Sequence, residues 1–140
     1  MFYLDASAAV AAVTEEAHSD RVWQWLTAHT DAALFVSGWV DTEVSSALSI
    51  KARTGALTLD QRVSAMESWR RFRASSLREL AVTPDHFESA ARFCDRPDLG
   101  LRASDALHLA IAASANVQLL TLDERMAEIA PRLGIPVEPL

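Results

Sequence analysis

The chain has 140 residues, half of them hydrophobic, which is the usual size and composition of one domain with a single core. Its 19 acidic and 13 basic side chains give a formal net charge of −6, which argues against a protein that coats nucleic acid through bulk attraction. No apolar run approaches the roughly 20 residues that cross a bilayer. The single cysteine, Cys94, cannot form an intramolecular disulfide. We therefore expect one domain, residues 1–140, in the cytoplasm, with any nucleic-acid contact confined to a local site.

Short apolar runs alternate with helical patterns along the chain. Phe2–Leu4, Leu34–Ser37 and Gln118–Thr121 are predicted as buried parallel strands, and residues 77–82 and 135–137 as further strands. The predicted helices span roughly residues 7–13, 19–29, 40–54, 59–75, 84–94, 103–115 and 124–133. This alternation is typical of an α/β domain built on a parallel sheet.

Three short patterns predict where elements begin and end. Thr58, with Gln61 three residues later, forms a capping box at a helix start. Thr83 followed by Pro84 predicts a second helix start. Residues 95–101, DRPDLGL, are predicted as a loop because proline and glycine punctuate them.

Four acids are candidates for one site. Asp5 and Asp123 each follow a predicted strand, and the carboxyl ends of parallel strands form the ligand crevice of an open sheet. Glu43 lies early in the helix after the second strand, so it starts from the same edge. Asp105 opens a helix that precedes a strand, and it reaches this edge only if the loop at residues 95–101 carries the chain back across the sheet.

Each acid also has a structural interpretation. Asp5 and Asp123 both suit the N-cap position of the helix that follows. Asp105 opens the nearly uniformly apolar helix DALHLAIAASA, where a carboxylate needs a metal, a proton or a cationic partner such as Arg102. Asp41 and Glu43 flank the same apolar stripe of their helix, so periodicity does not choose between them.

Four segments together resemble the PIN domain family, and in particular the VapC toxins of bacterial toxin–antitoxin pairs. They are YLDASA, SGWVDTEVSSAL, LRASDALHLAIA and LLTLDERM, in this order over nearly the full length. The resemblance implies a three-layer fold, with a central parallel sheet of four or five strands and helices on both faces. It implies metal-binding acids at Asp5, Glu43, Asp105 and Asp123, with Ser7 and Thr121 as supporting hydroxyls. It favours Glu43 over Asp41.

The resemblance also implies an activity and partners. The family members are metal-dependent endoribonucleases that a cognate antitoxin inhibits, and a homodimer is implied as well. Carboxylates without Cys or His ligand spacing suit Mg²⁺ or Mn²⁺ and argue against zinc. Such ions activate water and relieve charge in phosphodiester hydrolysis. We expect Asp5, Asp105 and Asp123 to hold the principal ion, and Glu43 to bind a second ion or position the attacking water.

Three further residues near the acids have two interpretations each. His108, three residues after Asp105, could hydrogen-bond a metal ligand or act as a base, although a histidine hydrogen-bonded within the core is the more common case. Arg102 and Arg125 could hold a substrate phosphate, or they could be solvated or salt-bridged.

Two sets of residues outside the site have an open role. Trp23 and Trp25 lie two apart on a predicted helix, so they face nearly opposite directions, and one of them could form an apolar surface for a protein partner. Arg70, Arg71, Arg73 and Arg78 are interpreted as a solvated face, and contact with RNA is the alternative.

Other functions fit less well. A haloacid-dehalogenase-like phosphatase also opens with Asp after its first strand, but it needs a second Asp two residues later, where this chain has Ser7. A PIN-type nuclease acting on DNA or in RNA processing is closer. A non-catalytic PIN-fold module that binds a protein partner is the alternative from another class, and the intact set of four acids counts against it.

Overall fold

The computed structural model describes the backbone of residues 1–140 and every side chain except that of Pro139. Five strands form one sheet: β1 (Phe2–Leu4), β2 (Leu34–Ser37), β3 (Leu77–Leu80), β4 (Gln118–Thr121) and β5 (Val137–Pro139). Seven α-helices connect them: α1 (Ala6–Val13), α2 (Ser19–Ala28), α3 (Gly38–Arg53), α4 (Leu59–Ser76), α5 (Pro84–Cys94), α6 (Ala103–Ala115) and α7 (Glu124–Ile129). A 3₁₀ turn, Ala130–Leu133, precedes β5.

The sheet is parallel throughout, with strand order β3-β2-β1-β4-β5. From β1 the chain builds outward to β2 and β3, then returns to the other side of β1 to add β4 and β5. Right-handed crossovers in these two directions put helices on both faces of the sheet. The direction of winding therefore reverses between β1 and β4, and this reversal opens a crevice at the carboxyl ends of the two strands.

The core lies between the sheet and its helices. Tyr3, Leu4, Leu119 and Leu120 of the two central strands are fully buried. Residues 106–112 of α6 are all buried, which agrees with the apolar sequence of this helix. Among the described residues, no helix is both long enough and apolar enough to cross a membrane.

Most of the predicted elements are confirmed. The predicted bounds of β1, β2, β4, α5 and α6 match the structure. The capping box at the start of α4 is present, because the Gln61 N–H donates to Thr58 Oγ1 at 3.1 Å and the Thr58 N–H donates to Gln61 Oε1 at 2.8 Å.

The differences from the predicted bounds have local causes. Helix α3 begins at Gly38, two residues earlier than expected and directly after β2 ends at Ser37, whose side chain makes no capping hydrogen bond. The predicted helix over residues 124–133 leaves the α conformation after Ile129, since Pro131 lacks the N–H that a continued helix would need. Strand β3 ends at Leu80, and β5 runs over Val137–Pro139 instead of 135–137.

Met1 and Leu140 lie at opposite ends of the parallel strands. The carbonyl of Met1 accepts a hydrogen bond from the N–H of Gln118, the first residue of β4, at 3.1 Å. The N–H of Leu140 donates to the carbonyl of Thr121, the last residue of β4, at 2.9 Å. Met1 thus lies at the amino ends of the strands, which we call the amino edge of the sheet, whereas Leu140 lies at their carboxyl ends, the carboxyl edge.

Candidate active site

Asp5 lies in the crevice between β1 and β4. It directly follows β1 and is 2% exposed. Thr121 Oγ1 donates to Asp5 Oδ2 at 2.6 Å, and Ser7 Oγ lies 2.7 and 2.9 Å from the two carboxylate oxygens. The backbone N–H of Ala8 donates to Oδ1 at 3.0 Å, so Asp5 is also the N-cap of α1. The expected capping role of Asp5 is thus confirmed, and the hydroxyls of Ser7 and Thr121 hold the same carboxylate.

Burial raises the pKa of Asp5 above the ordinary carboxyl value. His108 opposes this rise, as do the hydrogen bonds from Ala8, Thr121 and Ser7. Since desolvation dominates, the charged carboxylate is costly in the protein alone, and a cation bound beside it would lower that cost.

Thr121 joins Asp5 to Asp123. While its hydroxyl donates to Asp5, the same oxygen accepts the N–H of Asp123 at 2.9 Å. Asp123 Oδ1 accepts the N–H of Met126 at 2.9 Å and so caps α7. Ser7 makes a similar link, because its Oγ accepts the N–H of Leu122 at 2.9 Å. The two hydroxyls thus fix the carboxyl end of β4 against the start of α1.

Asp105 reaches the same edge of the sheet. Helix α6 ends at Ala115, and only two residues separate it from the start of β4 at the amino edge, so its first turn, which contains Asp105, lies toward the carboxyl edge. The bonds to its carboxylate are long, 3.4 Å from the Arg102 N–H and 3.3 Å from Ser104 Oγ. Within the described residues no hydrogen bond joins Asp105 to another of the four acids.

Glu43 is held by His108. His108 Nε2 lies 2.5 Å from Glu43 Oε2, and His108 Nδ1 lies 3.1 Å from the hydroxyl of Tyr3. The Tyr3 hydroxyl is in turn 2.7 Å from Ser37 Oγ. His108 is 3% exposed, so it is a hydrogen-bonded core histidine as expected, yet its partner is one of the candidate acids.

The structure separates Glu43 from Asp41, which periodicity could not do. Asp41 Oδ1 accepts from Trp69 Nε1 at 2.9 Å, and Arg73 Nε lies 2.8 Å from Asp41 Oδ2. Arg73 also pairs with Glu79 at 3.0 Å. Asp41 is therefore committed to α4 and β3, and Arg73 is ion-paired rather than part of a solvated face. Glu43 is directed at the buried histidine next to Asp5.

A family model for the PIN domain matches residues 2–131. The chain belongs to the PIN domain family. Two curated relatives from Mycobacterium tuberculosis are similar to it over most of their length. Ribonuclease VapC3 is 35% identical over 129 residues, 91% of this chain and 86% of the relative. Ribonuclease VapC35 is 28% identical over 142 residues, 98% of this chain and 95% of the relative.

A solved PIN structure has the same architecture. VapBC2 from Rickettsia felis, bound to a DNA fragment from its promoter, superposes with a TM-score of 0.71 at 17% identity. The match covers 99% of this chain and 98% of that one. The expected three-layer fold with a central parallel sheet is thus confirmed, and the sheet has five strands.

The donors at this edge of the PIN fold suit a hard cation. The candidate ligands are carboxylate oxygens, and Cys94 is exposed at the end of α5. Oxygen ligands favour Mg²⁺ or Mn²⁺ over zinc. Among the side chains that the structure describes, however, no three from His, Cys, Asp and Glu are already grouped closely enough to hold an ion. The donor chemistry fits a divalent metal, and side-chain adjustment would have to accompany its binding.

The two arginines next to the acids differ in their contacts. The Arg125 guanidinium donates to the carbonyl of Gly100, so it ties the loop before α6 to α7. A Cβ at Gly100 would clash with the Arg125 guanidinium. Arg102 is exposed, and its backbone N–H contacts Asp105. Neither guanidinium forms a salt bridge within the described part of the chain.

Tyr3 and Ser37 are the residues that sequence reasoning missed. Both are fully buried, and together they connect β1 and β2 to His108. Burial raises the pKa of Tyr3 further above its already high ordinary value, so its hydroxyl stays protonated at neutral pH. Tyr3 is a hydroxyl-bearing side chain inside an apolar strand and needs a hydrogen-bond partner, but nothing in the sequence identifies that partner.

Proposed function

We propose that this protein is the toxin of a type II toxin–antitoxin pair and that it cleaves RNA internally by metal-dependent hydrolysis. One observation carries the proposal: Asp5 is buried in the crevice between β1 and β4 and held by the hydroxyls of Ser7 and Thr121. Burial disfavours the ionised carboxylate of Asp5, and a cation bound beside it would offset this desolvation penalty. The curated relatives named ribonucleases support the choice of RNA as substrate.

In this proposal Asp5, Asp105 and Asp123 would hold the principal Mg²⁺ or Mn²⁺, and Glu43 would bind a second ion or position the attacking water. The bound metal would supply an activated water and neutralise charge on the phosphate. Ser7 and Thr121 keep both oxygens of Asp5 oriented, and Thr121 also fixes the backbone of Asp123. In the reaction that the resemblance implies, water attacks phosphorus, the P–O3′ bond breaks and the 3′ oxygen leaves, so the products carry a 5′-phosphate and a 3′-hydroxyl.

The partners in this proposal are a cognate antitoxin and a second copy of the chain, and the compartment is the cytoplasm. An exposed apolar side chain supports the protein partner: Trp23 is 46% exposed, while Trp25 is half-buried and stacks on His29 at 4.2 Å. Trp23 borders a groove of about 710 Å³ that Leu57 and Ala65 also line.

The direct test is cleavage of end-labelled RNA by the purified protein with Mn²⁺, with EDTA, and with single-stranded DNA of the same sequence. We expect RNA cleavage with Mn²⁺ only, products with a 5′-phosphate, and loss of cleavage in Asp5→Asn. The matched control is Asp31→Asn, at an exposed position. Cleavage of the DNA instead would favour a PIN nuclease acting on DNA, and wild-type cleavage retained by Asp5→Asn would refute the metal site.

A growth assay tests the cellular role. Expression of the wild type should arrest growth, and expression of Asp5→Asn should not. Co-expression of the neighbouring reading frame, if it encodes a short DNA-binding protein, should restore growth. Equal growth with the wild type and the variant would count against toxicity, and an inactive but partner-binding protein would favour the non-catalytic module.

A further inference from the structure

We propose that His108 is a positioning residue that holds Glu43 in place, with Tyr3 and Ser37 holding His108 from behind. The four side chains form one hydrogen-bonded chain, Ser37–Tyr3–His108–Glu43, with distances of 2.7, 3.1 and 2.5 Å. What Glu43 does at the site rests on the proposed function. That its conformation depends on His108 is a separate claim about the protein itself.

The donor of the contact to Glu43 follows when Glu43 is ionised. A carboxylate only accepts, so His108 Nε2 carries a proton and donates to Glu43 Oε2. With a neutral imidazole, His108 Nδ1 accepts from the Tyr3 hydroxyl and the Tyr3 oxygen accepts from Ser37; with an imidazolium, Nδ1 donates to the Tyr3 oxygen and Tyr3 donates to Ser37. In both arrangements His108 donates to the acid from Nε2 and is held by Tyr3 at Nδ1.

Burial distinguishes the holding residues from the residue that is held. Tyr3 and Ser37 are 0% exposed, and the side chain of His108 is 4% exposed. The Glu43 side chain is 24% exposed and is the only one of the four with substantial access to solvent. Three buried side chains from β1, β2 and α6 therefore converge on one accessible carboxylate of α3. Substrate and water can reach Glu43. Tyr3 and Ser37 are buried, and they act on Glu43 only by holding His108.

The contact with His108 restricts the conformational freedom of the Glu43 side chain. A glutamate side chain has several rotatable bonds, and fixing them costs conformational entropy. A charge-assisted hydrogen bond to a rigid, buried imidazole offsets that cost before anything else binds. Asp41, on the same helix, is fixed instead by Trp69 and Arg73 on α4, at a distance from β1. Within α3 the histidine contact is thus specific to Glu43.

The test compares His108→Leu, His108→Gln and Tyr3→Phe with the wild type. The Gln side chain can still donate an amide N–H toward Glu43, whereas Leu cannot. His29→Gln is the control, because His29 is exposed and stacks on Trp25 away from the acids. Each protein is measured for the conformation of Glu43 by crystallography without metal, for Mn²⁺ affinity by calorimetry, and for stability by urea unfolding.

We expect Glu43 to occupy a single conformer in the wild type and to be reoriented or split between conformers in His108→Leu. Mn²⁺ affinity should fall about 10–100-fold in His108→Leu, the range for loss of a residue that orients a metal ligand. His108→Gln should recover most of this loss. Tyr3→Phe removes only the hydroxyl and should lower Mn²⁺ affinity by less. His29→Gln should leave Mn²⁺ affinity unchanged.

The outcomes separate this proposal from the proposed function. If the wild type binds no Mn²⁺ and cleaves no RNA, the proposed function fails, and the conformation of Glu43 still decides the role of His108. An unchanged Glu43 conformer in a folded His108→Leu variant overturns the inference, whatever the Mn²⁺ affinity of that variant. If His108→Leu does not fold, His108→Gln and Tyr3→Phe decide, because a purely structural histidine would change urea stability while leaving Glu43 and Mn²⁺ affinity as in the wild type.

Discussion

Thr121 Oγ1 donates to Asp5 Oδ2 at 2.6 Å and accepts the N–H of Asp123 at 2.9 Å, so one hydroxyl orients two acids from different strands. Thr121→Val keeps the shape but removes both bonds. We expect RNA cleavage to fall about 10–100-fold, as is typical when a residue that orients a metal ligand is lost. Thr121→Ser keeps the hydroxyl and should retain most of the activity. Equal rates for the Val and Ser variants would contradict this role.

Asp5→Asn should change how the stability of the metal-free protein depends on pH. Burial raises the pKa of Asp5 from its ordinary value of 3.8, so the folded protein holds the proton more tightly than the unfolded chain does. The wild type therefore loses stability as the pH rises from that ordinary value through the raised pKa, and the loss is complete above it. Asp5→Asn lacks this loss.

The comparison is made by urea unfolding in EDTA across the acidic and neutral range, with Asp31→Asn as the control. The free energy of unfolding of Asp5→Asn minus that of the wild type should be larger at neutral pH than at acid pH. A difference between the two proteins that does not vary with pH would show that Asp5 carries no net desolvation cost.

Glu43 and Asp41 should respond to substitution in opposite ways. Glu43→Gln should lower cleavage by about 100-fold or more, the range for losing a group that assists proton transfer or water activation. Asp41→Ala should cost about 1–3 kcal/mol of stability, because it leaves the buried N–H of Trp69 without an acceptor. Its cleavage rate, measured below the unfolding transition, should match that of the wild type. A large loss of cleavage in Asp41→Ala alone would reverse the assignment.

Asn116 ends α6, the helix that carries Asp105 and His108, in the left-handed conformation at φ 51°. An alanine there pays the steric cost of this conformation, so Asn116→Ala should lose about 1–2 kcal/mol in urea unfolding. Asn116→Gly has no such cost and should be at least as stable as the wild type. If the two variants had equal stability, α6 would have to end differently from the structure described above.

The elements of the fold could be predicted because each has a local signal. The apolar runs before Asp5 and Asp123 identify the two central strands, and Thr58 with Gln61 identifies the start of α4. The predicted bounds were wrong for α3, which begins directly after β2, and for the last helix, where Pro131 ends the α conformation early. Strand order does not follow from such local patterns. It was not predicted, and it is strand order that puts Asp5 beside Thr121.

The candidate acids could be named from the sequence, but the side chains that contact them could not. The positions of Asp5 and Asp123 after strands follow from the sequence, whereas the choice of Glu43 over Asp41 needed the resemblance. In the structure that choice has a physical basis in Arg73 and Trp69, which occupy Asp41 from α4. The contact of Tyr3 with His108 joins residues 105 positions apart, and no periodicity or spacing reports such a pair.

The opposite placement of the two termini has a practical consequence for every experiment above. A purification tag fused after Leu140 would emerge beside Thr121, whose carbonyl binds the Leu140 N–H, and would crowd the acids. A tag fused before Met1 would emerge from the far side of the molecule, where Met1 pairs with Gln118. Recombinant protein for metal titration and RNA cleavage is therefore best made with an amino-terminal tag.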